Sequence, residues 1–229
     1  MADAARAQSC RALSMKTLPL KKKFAQFYRT STSRIELLQL PALQFLMIDG
    51  IIEKGSEPGK SPGFAAATQA LYSLAYTLKF MIKKRKANAF DYPVMPLEGL
   101  WSVTDGKFDI TIKDNWDYTL MILTPAEVKT KDFKDALKIA SEKKGDGLPL
   151  QRVRLAKFKE GLCVQATHIG PYATEPATIE RMQAFMAENK LVDNVGPHGR
   201  HHEIYLSDPR RSSPAKIKTL LRHPVVKKR

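Results

Sequence analysis

Residues 199–209 read GRHHEIYLSDP, and the rest of the chain is organised around this stretch. Residues 203–206 alternate in character, which predicts a strand with Glu203 and Tyr205 on one face and Ile204 and Leu206 on the other. The polar face of such a half-buried strand either meets solvent or lines a cleft. The strand alone favours solvent, whereas the remaining sequence favours the cleft.

Length and composition limit the number of domains and the kinds of partner that we expect for this protein. The 229 residues are enough for one large domain or two small ones. The formal net charge is +15, but the basic residues are spread along the chain without a nucleic-acid-binding motif, so we expect no specific nucleic-acid binding. No apolar run reaches the ~20 residues that cross a bilayer. Two isolated cysteines, Cys10 and Cys163, fit a reducing, cytoplasmic setting.

The order of elements predicts a duplicated α+β domain. Each half reads strand, strand, helix, strand, strand, with Pro41 ending one strand and a turn at residues 159–161 ending another. The resulting antiparallel sheets leave a ligand cleft between the halves. The predicted boundaries are a flexible N-terminal arm at 1–14, a single domain at 15–229, half 1 at about 34–125, a linker helix at 126–147 and half 2 at about 148–225.

Five stretches resemble the GyrI-like small-molecule-binding domain. They are residues 45–50 (FLMIDG), 70–80 (ALYSLAYTLKF), 95–101 (MPLEGLW), 168–172 (HIGPY) and 202–209 (HEIYLSDP). The resemblance implies a cleft that binds hydrophobic, aromatic or cationic small molecules, including multiple drugs, with a glutamate that meets the ligand cation. Some stand-alone members, to which this chain is similar, hydrolyse the cyclopropane of DNA-alkylating natural products. This similarity implies a detoxifying cyclopropanoid hydrolase.

Glu203 and Tyr172 are the candidate catalytic residues. A poorly solvated carboxylate suits a general base or acid, and it attracts a cationic ligand when it is ionised. Tyr172 follows Gly170-Pro171 at the start of a helix, where its phenol can assist a leaving group or simply cap the helix. The candidate ligand-binding residues are Tyr205, Trp101, Glu98, Tyr118, Tyr72, His168 and Trp116. Aromatic rings suit planar and cationic ligands, although each ring taken alone is more often part of a core.

Other chemistries find little support in the sequence. His198, His201 and His202 are close together, but consecutive residues of a strand face opposite ways, so we expect no metal site. We expect no cofactor, because phosphate-binding glycine loops are absent. Three functions stay open: a hydrolase, a binder that only sequesters drugs, and a protein-interaction module similar to the gyrase inhibitor. The oligomeric state is also left open.

Overall fold

The computed structural model describes residues 15–228, except 30, 32, 104–109, 111–115 and 197–198. The predicted arm at 1–14 and His198 lie outside the described residues. The strands are β1 (Lys16–Thr17), β2 (Glu36–Ile51), β3 (Phe90–Asp91), β4 (Leu97–Val103), β5 (Trp116–Leu123), β6 (Arg154–Ile169), β7 (Leu191–Asp193), β8 (His201–Tyr205) and β9 (Lys218–Lys227). The α-helices are α1 (Leu20–Lys23), α2 (Pro62–Lys84), α3 (Thr130–Lys144) and α4 (Glu175–Glu188). Within the described residues, no helix is long and apolar enough to cross a membrane.

Six of the strands close into a barrel. Their order is β6-β2-β5-β4-β8-β9, and β9 pairs back with β6. Every pairing around the barrel is antiparallel. β2, β5 and β4 come from the first part of the chain and β6, β9 and β8 from the second, so the two parts meet at β2–β6 and at β4–β8. The predicted α+β fold is confirmed.

The structure corrects the predicted division of two strands. β2 and β6 are single strands of 16 residues each, where the sequence predicts two pairs. β2 runs through Pro41, in a stretch where β6 is paired with it and β5 is not, so a missing N–H is tolerated as on an edge strand. β6 runs through Gly161, whose φ of 82° is open to glycine without strain.

Two helices cover the outer face of the barrel. Ser61 caps the N-terminus of α2, and its Oγ accepts a hydrogen bond from the Phe64 amide at 3.0 Å. The first turn of α2 reaches β4, since Phe64 stacks on Trp101 with ring centroids 5.7 Å apart. α4 buries Met182 against the strands of the second part, in a cluster that includes Leu221. The line along which β4 meets β8 therefore lies between the two helices.

The opposite face of β4 and β8 carries a buried group of charged side chains, the Glu98 cluster: Tyr28, Glu98, Glu160, His202 and Arg222. His202 Nε2 lies 3.0 Å from Glu98, and its Nδ1 lies 2.9 Å from Glu160. Burial by itself lowers the pKa of His202, but the two carboxylates outweigh burial and raise it to about 9. The ring is therefore an imidazolium at neutral pH and donates to both carboxylates.

We expect this imidazolium to make stability fall in mild alkali. A histidine whose folded-state pKa exceeds its unfolded value of ~6.5 stabilises fully below that value and loses the effect as pH rises through about 9. Urea denaturation from pH 6 to 9.5 should show the free energy of unfolding falling by up to roughly 3 kcal/mol. His202→Gln should be less stable at pH 6 and nearly flat across this window. Equal slopes for the two proteins would contradict the assignment.

Candidate functional site

Glu203 lies where the two parts of the chain meet. β4 and β8 pair so that Gly99 is opposite Glu203 and Trp101 is opposite His201. Alternation along β8 puts His201, Glu203 and Tyr205 on the outer face, between α2 and α4. The carboxylate is nearly enclosed, with 5% of Glu203 exposed.

The phenols of Tyr205 and Tyr172 lie near the carboxylate of Glu203. The Tyr205 hydroxyl donates to Glu203 and accepts from Trp101 Nε1 at 3.1 Å. Tyr172 lies in the turn Tyr172–Thr174 before α4, and its ring meets that of Tyr205 edge to face, with centroids 6.2 Å apart. Burial raises the pKa of Tyr172, and Glu203 and Glu175 raise it further. Tyr172 therefore keeps its proton at neutral pH and can act as a donor.

Glu175 and His201 lie beside Glu203, although the sequence pattern did not predict either of them as a site residue. Glu175, fully buried at the first position of α4, offers a carboxylate oxygen that lies with His201 and Glu203 ligand atoms within 4.8 Å of one another. Three such groups are close enough to hold a metal ion. However, His201 Nε2 lies 3.3 Å from Glu203 Oε1, a separation that a shared proton explains.

His201 also connects the site to the far side of β9. Its Nδ1 lies 2.8 Å from His223 Nε2, and His223 Nδ1 lies 2.7 Å from Asp193 Oδ2. Burial lowers the pKa of His201, and the Glu203 contact only partly offsets this. A signal for His201 was present in the sequence, since it shares a strand face with Glu203. The contacts of His201 with His223 and of His223 with Asp193 depend on how β9 pairs with β8 and β7, and the sequence pattern does not predict this pairing.

Known proteins resemble this chain in sequence and in fold. Residues 34–225 match the model of the GyrI-like small molecule binding domain. The chain belongs to the GyrI-like family. Among solved structures, an uncharacterized conserved protein from Listeria innocua is similar, at 38% identity and a TM-score of 0.82 over 91% of this chain and 100% of that chain.

Two hydrolases from Listeria innocua are also similar to this GyrI-like protein. They are 35% and 37% identical to it, with TM-scores of 0.77 and 0.79. The matches cover 91% and 92% of this chain and 100% of each hydrolase. None of the curated proteins matches the chain.

The aromatic residues predicted to bind ligand fall into two groups in this GyrI-like domain. Trp101, Trp116 and Tyr118 are 1%, 1% and 3% exposed, and Phe64 packs against Trp101 and Tyr118. These three rings are part of the core and are not accessible to a ligand in this conformation. The accessible surface beside Glu203 is therefore formed by the half-buried rings of Tyr172 and Tyr205.

Tyr72 lies at the edge of this surface. Its hydroxyl bonds to the backbone of Leu97, two residues before Gly99, and its ring stacks on Tyr76 with centroids 6.4 Å apart. This position on α2 keeps Tyr72 a candidate for ligand contact.

Glu98 and His168 lie elsewhere. Glu98 is opposite Ile204 in the β4–β8 pairing, so it points away from Glu203, and the prediction that the two share a cleft is wrong. His168 Nδ1 lies 2.9 Å from Thr178 Oγ1, and its Nε2 lies 3.1 Å from the Pro171 carbonyl. It holds the entry to α4 and lines a surface cavity of about 360 Å³ beside that helix.

Substitution of Gly99 tests the packing of Trp101 against Tyr205 beside Glu203. A Cβ added there would lie 2.9 Å from Trp101 Nε1 and 3.1 Å from Tyr205 Oη, so Gly99→Ala should separate the two rings. We expect the free energy of unfolding to fall by roughly 1–3 kcal/mol, with a change in tryptophan fluorescence. Gly147→Ala is the matched control, because nothing lies within 4 Å of its added Cβ, and it should stay within about 0.5 kcal/mol of the wild type. Equal stability of both variants would contradict the contact.

Proposed function

We propose that this GyrI-like protein binds an aromatic small molecule beside Glu203 and hydrolyses an electrophilic cyclopropane within it. The observation that carries the proposal is the enclosed Glu203 carboxylate next to the protonated phenols of Tyr205 and Tyr172. This arrangement offers a base and an acid on one small surface. The similarity to two hydrolases across their whole length supports it further.

The chemistry follows from the two kinds of group. A cyclopropane accepts a nucleophile when the breaking C–C bond can deliver its electron pair to a conjugated carbonyl. Glu203 takes a proton from water as the oxygen attacks the ring carbon, and the carbonyl oxygen becomes negatively charged. Tyr172, which its raised pKa keeps protonated, donates a hydrogen bond to that oxygen as the negative charge develops, and the oxygen then takes up a proton from solvent. The product is the ring-opened alcohol with an enol or phenol in place of the carbonyl.

Ligand selection in this proposal rests on rings and charge. Tyr172 and Tyr205 present π faces that suit a flat aromatic ligand, and the carboxylates of Glu203 and Glu175 favour a ligand with positive charge. Destroying a DNA-alkylating electrophile before it reaches DNA would make the activity a detoxification. A cytoplasmic location fits this role and the free thiol of Cys163.

Glu203→Gln tests the proposed general base. The substitution keeps the shape and one hydrogen-bond acceptor but removes the basicity, so turnover of a cyclopropane-containing aromatic dienone should fall ~10²-fold or more. Binding of a neutral aromatic ligand should change little, since ring contacts supply most of that affinity. Product formation by chromatography and ligand binding by calorimetry measure the two quantities separately.

Two further variants make the result specific. Tyr172→Phe should also lower turnover while preserving the ring. Glu188→Gln removes an exposed carboxylate at the other end of α4 and should leave turnover unchanged. Wild-type protein that binds one equivalent and forms no product would contradict hydrolysis and favour sequestration.

A further inference from the structure

Four side chains form a continuous line of contacts that leads away from the proposed site. Glu203 Oε1 lies 3.3 Å from His201 Nε2, His201 Nδ1 lies 2.8 Å from His223 Nε2, and His223 Nδ1 lies 2.7 Å from Asp193 Oδ2. Three strands supply them: β8 carries Glu203 and His201, β9 carries His223, and β7 carries Asp193. Each contact joins two atoms that can exchange a proton.

The line runs from the interior to the surface. The side chains of His201 and Glu203 are 0% and 6% exposed, that of His223 is 5% exposed, and that of Asp193 is 28% exposed. A ligand over Tyr172 and Tyr205 would cover the little surface that Glu203 has. Asp193, on the other side of β9, would remain in contact with water.

The number of protons on these four side chains determines whether the line can transfer a proton. Each of the three contacts needs one proton, whereas two neutral imidazoles supply two. A third proton, taken up by Glu203, would complete the line. With this proton on Glu203, its carboxyl donates to His201 Nε2, His201 Nδ1–H donates to His223 Nε2, and His223 Nδ1–H donates to the Asp193 carboxylate. Moving every proton across its own hydrogen bond leaves Glu203 ionised and Asp193 protonated.

We propose that His201 and His223 relay the proton that Glu203 takes from the attacking water to Asp193, which releases it to solvent. The proposal rests on the proposed function of Glu203 as a base. The balance is complete: one proton leaves water at the site, one appears at the surface, and no electrons move along the line. Burial raises the pKa of Asp193, but His223 outweighs burial and lowers it, so a proton that reaches Asp193 is readily lost to water.

Other titratable and charged side chains lie close to the four residues of the line. Glu175 on α4 faces His201 and Glu203, and Tyr172 and Tyr205 face Glu203. The Glu175 carboxylate favours a positive charge at the inner end, whereas the phenol donors favour the ionised form of Glu203. Arg222 and His202, the residues beside His223 and His201 in sequence, point to the other face of the sheet and belong to the Glu98 cluster.

Asp193→Asn and His223→Gln break the relay without touching Glu203. Both should lower kcat for the cyclopropane dienone at least ~10-fold with little change in KM, and added imidazole should restore part of the activity of Asp193→Asn. Asp193→Glu should keep most of the activity. Asp135→Asn, which removes an exposed carboxylate on α3, is the matched control and should behave as the wild type.

A second readout does not depend on turnover. Downfield proton NMR should show imidazole N–H resonances that disappear in His223→Gln, and the His201 resonance should shift in Asp193→Asn although Asp193 does not touch that ring. If this coupling is seen without any wild-type turnover, the hydrolase function fails and the shared-proton line stands.

Three outcomes would overturn the relay. One is unchanged kcat in both variants. Another is a loss of activity that imidazole does not restore and that parallels a loss of thermal stability, since this would indicate a structural role. The third is wild-type activity that is lost with a chelator and restored by a divalent cation, which would assign Glu175, His201 and Glu203 to a metal instead.

Discussion

The pairing of β4 with β8 is the contact on which the site depends. It closes the barrel and sends alternate residues of β8 to opposite faces, His201 and Glu203 outward and His202 inward. A slip of one residue would exchange the two sets and bring His202 and Ile204 to the outer face. The contact of His202 with Glu98 crosses from β8 to β4 and favours the observed register. The inner charges therefore help to define the outer site.

Adjacent histidines on β8 show how surroundings set chemistry. Both are fully enclosed, and burial pushes the pKa of each downward. Glu98 and Glu160 reverse this effect at His202, so that residue holds a fixed positive charge. At His201 burial prevails and favours the neutral ring, which has one nitrogen that donates and one that accepts. A fixed charge suits a structural contact, and a neutral ring with one donor and one acceptor suits proton transfer.

The sequence predicted the features that depend on the alternation of side chains and on the order of elements. It missed those that depend on which residues of neighbouring strands are paired. Alternation correctly placed Glu203 and Tyr205 on one face, and the order of elements indicated an α+β fold. Pro41 and Gly161 suggested turns, but extended backbone accepts both where the neighbouring strand tolerates them. Glu98 was assigned to the cleft because a duplicated pattern does not say which of two adjacent residues faces inward. His223 and Asp193 come from other strands, so their contact with His201 emerges only once β9 is aligned with β8 and β7.

Closure of the barrel also bears on how the chain reaches its native state. Leu37 pairs with Val164 and Glu98 pairs with Ile204, so the two junctions join residues more than 100 positions apart. Contacts of such long range require a large loss of chain entropy before they contribute, which slows folding. Until both junctions form, β4 and β8 each have an unpaired edge, and such edges are prone to pair with other chains. The pairing of β4 with β8, which forms the site, therefore also leaves the chain open to misassembly until the barrel has closed.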